Sequence, residues 1–485
     1  MTSKVSRDLM LVSVGRVATV LMGLISLRVV TTILTPEQYG ALALLIVVQT
    51  FCGLLIMNPV GQHINLHTHA WWDDGTILAR LKWYRRYVLV GSFVGGMVVL
   101  FLSKPHSTEE SLWAAGVIFS MIFAGTWNAT LVSMLNMLGF RGSSVFWGIV
   151  TQATGLSFSV ILSMESPTAV TWVAGQAVGM AVGSLGARYM LRKQAVEPRF
   201  FQGVLPLLDR KTFITYCMPL EFATGLMWLQ ISGYRVVIES YWGLAQLGFL
   251  AVGFNLAGQF FSLSEALAMQ FFSPLFFRRV SEYENEHEVE LAVSDLMNTL
   301  APVYLVITGL VVLGAPYFLK VLVAPQFHEA TYFVMLGAGV ELCRVIGNLL
   351  SNAAHVKRQT KSLASPYGAG AAVSLVLIYL AGVNHMEIIW AVVALIAGSM
   401  VMLIVMWVAM RRRVRFTLDT ERWVWGTAVM LAMVLLASWI PTVHSLGASI
   451  AMLAAVAIPV SGAIFALLWK NPAMFRLLNV QLREK

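Results

Sequence analysis

Arg28-Val29-Val30, with Gln38-Tyr39-Gly40-Ala41-Leu42-Ala43 starting ten residues after the arginine, is echoed about 207 positions later by Arg235-Val236-Val237, with Gln246-Leu247-Gly248-Phe249-Leu250-Ala251 starting eleven after. Each copy spans the point where a long apolar segment ends, a short polar turn follows and another apolar segment begins. A repeat on that scale, with an arginine inside each apolar segment, points to a duplicated membrane bundle with charge on its inner surface. Two apolar hairpins drawn from a small alphabet also resemble each other by chance, so the rest of the chain has to carry the reading.

Composition excludes a soluble protein: 58% of the 485 residues are apolar, 12% are charged, and mean hydropathy is +0.75. A bilayer is crossed by about 20 apolar helical residues. Fourteen such spans are expected, at 9–34, 38–60, 87–102, 111–136, 145–163, 168–187, 213–238, 245–270, 294–322, 329–354, 365–383, 387–410, 423–440 and 446–469. The first is too long for a signal-peptide core and has no clear small-residue cleavage site, so it reads as a retained helix. Cys52, Cys217 and Cys343 lie far apart inside apolar segments, which argues against a disulfide framework or a Cys/His metal site.

The net charge of +9 invites a nucleic-acid reading, but the placement of the charges decides otherwise. Of 33 lysines and arginines, 27 fall at the termini and in the turns that share their side of the membrane. Only Lys104 and Lys320 fall on the other side, and Arg16, Arg28, Arg235 and Arg344 lie within spans. The positive-inside rule then places both termini in the cytoplasm.

The expected fold is all-α and integral to the membrane, with about fourteen transmembrane helices. Two six-helix bundles with equal orientation are related by a pseudo-two-fold along the membrane normal, and two extra helices follow. The expected divisions are an N-terminal bundle over 1–190, a basic cytoplasmic linker over 191–212, a C-terminal bundle over 213–410, and two added helices with a cytoplasmic tail over 411–485. Asn471-Pro472 can open a short interfacial helix carrying Phe475, Leu478 and Leu482 on one face; a frayed tail fits as well. The external turns are short, which leaves no room for the catalytic domain of a membrane transferase.

Polar residues recur at helical spacing inside the second half. Glu341, Arg344, Asn348, Asn352 and His355 fall within about 80° of one face, as do Glu221, Thr224, Trp228, Ser232 and Arg235. Asn255, Gln259, Ser262 and Glu265 make a wider stripe. A charge at membrane depth costs about 2.5–3.5 kcal/mol on insertion scales, so such residues face a bundle interior or water. Two readings compete: a wet cavity, or helices held together by pairs such as Glu341 with Arg344. In the first half Arg16, Arg28 and Asn128 lie inside spans, but no carboxylate does. A cavity between the halves would therefore draw arginines from both and carboxylates from one, which suits an anionic cargo. Arg28 and Arg16 can equally snorkel to the interface.

Several features read as structural. Gly175, Gly179 and Gly183 form a ridge for close helix packing. Pro219 and Pro302 interrupt apolar segments. His63, His67 and His69 stand beside Trp71-Trp72 at a membrane interface, where an anchor is a better reading than a metal site. Asp73-Asp74-Gly75 is an ordinary turn, and no phosphate-binding GxxxxGK[ST] motif occurs.

Gly15-Arg16 in the first helix, then Leu34-Thr35-Pro36-Glu37-Gln38-Tyr39-Gly40 leading into the second, resembles the start of the polysaccharide transporter branch of the MOP superfamily, which includes the Wzx-type flippases. Tyr216-Cys217-Met218-Pro219-Leu220, Leu247-Gly248 and Ala324-Pro325-Gln326-Phe327 resemble its second half, so the likeness covers the whole chain through short, degenerate motifs. The resemblance implies no enzyme but a flippase in a bacterial inner membrane. It would move an undecaprenyl-pyrophosphate-linked oligosaccharide from the cytoplasmic to the periplasmic leaflet by alternating access through a cationic central cavity. Arg344, Arg235, Arg28 and Arg16 would then meet phosphate, and Asn348, Asn352, Trp228, Asn255, Gln259 and Asn128 the sugars. Glu341, Glu221 and Glu265 are the candidates for a coupling H+ or Na+; no cofactor or metal is implied. Partners are the lipid-linked oligosaccharide, membrane lipids and other envelope polysaccharide assembly proteins, not nucleic acid. Gly233-Tyr234 depart from the family-like acidic residue before the second-half arginine. The first half lacks the carboxylate of related drug exporters, which leaves coupling open. The alternatives are an ion-coupled exporter of drugs or small metabolites, and a membrane-embedded polymerase or ligase.

Overall fold

A computed structural model describes residues 2–102, 108–194, 205–207, 211, 213–282, 286–356, 360–440 and 445–478. Among them there is no strand, and every long element is a helix. Most of the expected linker over 191–212 and the end of the tail lie outside these residues, as do the side chains of Arg16 and His355. The chain packs as two compact units, Met1–Arg235 and Val236–Lys485.

The first unit holds α1 (Thr2–Ile33), α2 (Pro36–Phe51), α3 (Asn58–Asp73), α4 (Ile77–Leu102), α5 (Thr108–Met137), α6 (Arg141–Glu165), α7 (Ala169–Gln194) and α8 (Met218–Trp228). Thr35 caps α2, its hydroxyl accepting from the Gln38 N–H, and Pro36 at the first turn has no N–H to leave unpaired. A π turn over Cys52–Met57 joins α2 to α3 as one span. It directly precedes Asn58-Pro59. A proline there has no N–H to give and crowds the carbonyl four residues back, and a widened turn accommodates both. The same device recurs before Pro219, where a π turn over Phe213–Cys217 leads into α8. Side chains serve the displaced carbonyls: Thr224 Oγ1 donates to Leu54 O at 2.9 Å and Tyr87 OH to Ile56 O at 2.6 Å. The Thr224 bond, with Trp228 Nε1 donating to Val47 O at 3.1 Å, holds α8 against the α2–α3 span. Packing therefore continues to Arg235, past the sequence repeat boundary expected near 213.

The glycine ridge of α7 lies against α6. A Cβ on Gly175 would strike the Ser159 backbone, and one on Gly179 the backbone of Gly155. Gly183 meets the side chains of Thr151 and Asn128.

The second unit contains most of α9 (Tyr234–Glu282), then α10 (Glu286–Leu322), α11 (Thr331–Val356), α12 (Ala364–Val383), α13 (Ile388–Arg411), α14 (Thr420–Ala437), α15 (Leu446–Leu468) and α16 (Pro472–Leu478). Twelve helices among the described residues are long and apolar enough to cross a membrane. One of these, Met218–Phe277, runs 60 residues, about 90 Å of helix and far more than one crossing needs. It breaks at Gly243 (φ 80°, ψ 174°), in a region of backbone space nearly closed to other residues, so it supplies two spans. With the apolar Val17–Ile33 of α1, the count returns to fourteen.

Each unit ties the first turn of its repeat to a later one. Gln38 Oε1 accepts from the Ala169 N–H at 2.9 Å, between α6 and α7, while Trp242 Nε1 donates to Met386 O at 2.9 Å, between α12 and α13. The opening turns of the two echoed stretches thus dock on equivalent turns of their own bundles. Helices α14, α15 and α16 all pack on α10, with Val306 and Leu313 meeting Met433, Val456, Val460 and Leu467. The outer faces of α14 and α15 stay exposed through Leu431, Leu435, Ile450 and Ile458, as a lipid-facing surface requires.

Candidate functional site

On α11 the residues of the stripe Glu341, Arg344 and Asn348 meet Glu265 of α9. Arg344 Nε donates to Glu341 at 2.7 Å, Arg344 Nη1 to Glu265 at 3.0 Å, and Asn348 Nδ2 to Glu265 Oε1 at 2.8 Å. The side chains of Arg344, Glu265 and Glu341 are 27%, 22% and 18% exposed, so the cluster is partly buried and not sealed within the unit. With all three ionised it carries one net negative charge. Arg344 is therefore not the lone cation that its position suggests. Arg344 Nη2 is nevertheless buried without a hydrogen-bond partner, as is Tyr304 OH, which lies within electrostatic reach of Arg344 and Glu265. Unpaired buried donors are costly, and they mark where a ligand can gain the most.

The other residues expected from sequence divide between the units. Asn352 is buried and its amide turns back to Asn348 O and Leu349 O on its own helix. Gln259 donates to Asn255 Oδ1 at 3.3 Å along α9. In the first unit Trp228 is bonded to α2, its ring edge-on to Phe51. Asn128 is buried, its amide donating to Thr151 Oγ1 at 2.9 Å between α5 and α6, a helix-packing position. Arg28 is half-buried near the end of α1 and has a partner. Arg235 has a buried Nε with no hydrogen-bond acceptor and its guanidinium 5.9 Å from the Tyr234 ring. Glu221 stands in the first turn of α8.

A cavity of about 340 Å³ in the first unit was not foreseen. It is lined by Gln49, Asn58, Gln62 and Asn65 of the α2–α3 span and by Thr126 and Thr130 of α5, with no charged residue among its walls. At 100° per residue, Asn58, Gln62 and Asn65 share a face about 60° wide, but Gln49 falls roughly opposite. The π turn between them changes the phase and brings all four to one cavity. The signal was present in the sequence, but only with the widened turn included.

No protein-family model and no curated protein matches the chain. Solved structures do. The lipid II flippase MurJ in its inward closed conformation superposes with a TM-score of 0.66 at 11% identity, over 95% of this chain and 99% of that one. A multidrug resistance MATE family transporter of the MOP superfamily, inward-facing, matches with a TM-score of 0.57 at 13% identity, over 87% and 98%. A MOP superfamily transporter from Pyrococcus furiosus matches with a TM-score of 0.53 at 12% identity, over 88% and 96%. This chain shares the fold of these solved transporters.

Two further side-chain clusters are built on that fold. His63, His67 and Trp71 stack along α3, with ring centroids 4.2 Å apart for the two histidines and 5.3 Å for His67 and Trp71, and Arg80 lies over Trp71. In the second unit, the fully buried Asp295 of α10 accepts from Arg279 Nη1 at 2.9 Å and from Arg476 Nη2 at 2.5 Å. Those bonds hold the Arg476 guanidinium above its ordinary range. Asn298, one turn along, accepts from the Asp419 N–H and Trp423 Nε1. The short helix α16 is thus docked, with Ala473 and Leu477 buried.

Proposed function

We propose that this chain is a flippase carrying an undecaprenyl-pyrophosphate-linked oligosaccharide from the cytoplasmic to the periplasmic leaflet of a bacterial inner membrane by alternating access, with both termini in the cytoplasm. The observation that carries this reading is the extent of the likeness to the lipid II flippase. It leaves 5% of this chain unmatched, about 24 residues, fewer than the 18 of α14 and 23 of α15 taken together. The likeness therefore reaches into the helices added beyond twelve. The 87% matched by the MATE transporter is small enough to leave both out. A cargo with a lipid tail and a diphosphate headgroup suits a fold with this reach and with arginines at membrane depth.

The chemistry follows from the triad. A diphosphate matches the guanidinium fork as a carboxylate does and presents more anionic oxygens to it. Such a headgroup engages Arg344 by using the open Nη2 and displacing Glu265 or Glu341. A displaced carboxylate at membrane depth needs a new counter-charge, and a proton or Na+ supplies it. Headgroup binding and ion uptake are coupled in this way. Arg235 and Arg28 are the guanidinium groups of the first unit proposed to meet phosphate, and the cytoplasmic turns are the surface for other assembly proteins.

The ion-coupled drug exporter remains the second reading, favoured by the MATE likeness and by the acidic triad. One experiment separates the two. Deleting the gene is expected to trap lipid-linked repeat units in the cytoplasmic leaflet, with rescue by the wild type but not by Arg344→Ala at normal membrane abundance. Unchanged lipid-linked pools on deletion, together with increased sensitivity to cationic drugs, would overturn the flippase reading in favour of the exporter.

A further inference from the structure

We propose that the cavity of the first unit is a binding site for an uncharged sugar ring, and that it selects neutral over acidic sugars. The proposal rests on the reading of the chain as a carrier of lipid-linked oligosaccharide, and it adds where one part of the cargo is held and which sugars pass.

Size comes first. At about 340 Å³ the cavity holds the volume of about eleven waters and falls in the range of small-ligand sites. Its chemistry is specific. Gln49, Asn58, Gln62 and Asn65 present planar amides, each with two donors and an acceptor, the pattern that matches neighbouring hydroxyls on a sugar. Only one hydrogen bond ties these four amides together, Gln62 Nε2 to Asn58 Oδ1 at 3.3 Å. Among the described residues no such bond engages the amides of Gln49 or Asn65. Tyr84 closes the inner wall, its hydroxyl held 3.2 Å from Thr130 Oγ1. With no charged group in the lining, a carboxylate on a sugar would be desolvated there without a cation to meet it.

Three glycines argue that the space is kept open. Gly53, Gly61 and Gly125 all line the cavity, and a Cβ built on any of them meets nothing within 4 Å. Close packing therefore does not explain glycine at these positions, in contrast to Gly175 and Gly179, whose Cβ would strike backbone. Glycine is also a weak choice inside a helix. A larger side chain at Gly61 or Gly125 would extend into the cavity and displace whatever occupies it.

The test uses the full chain in lipid nanodiscs, with saturation-transfer NMR reporting binding of free N-acetylglucosamine and, separately, of glucuronate. Wild type is expected to transfer saturation to N-acetylglucosamine and not to glucuronate. Gly61→Leu and Gly125→Leu are expected to abolish the transfer while melting no lower than wild type, and Asn65→Ala to weaken it. Undiminished transfer in the folded glycine variants overturns the proposal, as does glucuronate giving the same signal as the neutral sugar. If the leucine variants do not fold, Asn65→Ala and Gln49→Ala decide: transfer at the wild-type level in both overturns it. Failure here is distinct from failure of the flippase reading. Trapped lipid-linked units on gene deletion, with no saturation transfer to the sugar, leave the flippase and remove the site. Transfer that the variants abolish, with no trapping on deletion, leaves the site and removes the flippase.

Discussion

Arg344 shows how one side chain changes meaning with its neighbours. Read along α11 it is a cation on a polar stripe; in the structure its fork is shared between Glu341 and Glu265. One substitution separates a role in binding from a purely structural one. Arg344→Lys keeps the charge and the folding role but cannot bond two carboxylates and a phosphate in one plane. Its export rate is expected to fall about tenfold or more, the loss of one charge-assisted hydrogen bond, with abundance unchanged on immunoblots. Asp295 makes the contrasting case. Asp295→Ala leaves Arg279, 6% exposed, with only Glu288, and breaking a buried pair in this way costs about 3 kcal/mol or more. The measured consequence is a lower unfolding temperature in detergent, with the transport defect proportional to lost protein.

Helices in this chain bend, pair and stop where the backbone chemistry directs. Pro59 and Pro219 each follow a π turn, and at the first of these turns hydroxyl groups from other helices bond the carbonyls of Leu54 and Ile56. Gly243 marks the reversal that divides a 60-residue apolar run into two crossings. Its φ of 80° with ψ of 174° is nearly reserved for glycine, so Gly243→Val is expected to cost about 1–3 kcal/mol, read as a lower melting temperature. Gly179→Leu tests the glycine ridge between α6 and α7. The added side chain has to enter the backbone of α6 at Gly155, and the overpacking costs about 3 kcal/mol or more, seen as loss of monodisperse protein on size exclusion. The ridge of small residues was plain in the sequence because its four-residue period needs no partner to be recognised.

At the scale of the molecule, two units share a construction: an opening turn docked on a later turn, and the last span of each repeat packed against the two before it. The second unit adds α14 to α16, held on α10 by an apolar cluster and by the Asp295 and Asn298 bonds. The orientation proposed from the charge census is checked by cysteine labelling in a cysteine-free background. A cysteine at His385 should react with a membrane-impermeant maleimide in intact cells, and one at Arg412 only after permeabilisation. The reverse pattern would invert the topology and with it the direction of transport.

The sequence by itself determined the helical class, the number of crossings and the likeness of the two halves. Apolar length, charge asymmetry and short repeats are properties of a chain read one residue at a time against a bilayer of fixed thickness. Only the tertiary structure decided which polar groups meet. Glu265 and Arg344 are 79 positions apart, so their pairing depends on how α9 lies against α11, which no local period encodes. The neutral cavity was hidden for a related reason: its four amides align only after a π turn has shifted the helix phase. Periodicity finds a face where the helix is regular, as at Glu341, Arg344 and Asn348, and misses the cavity because the helix is not regular there.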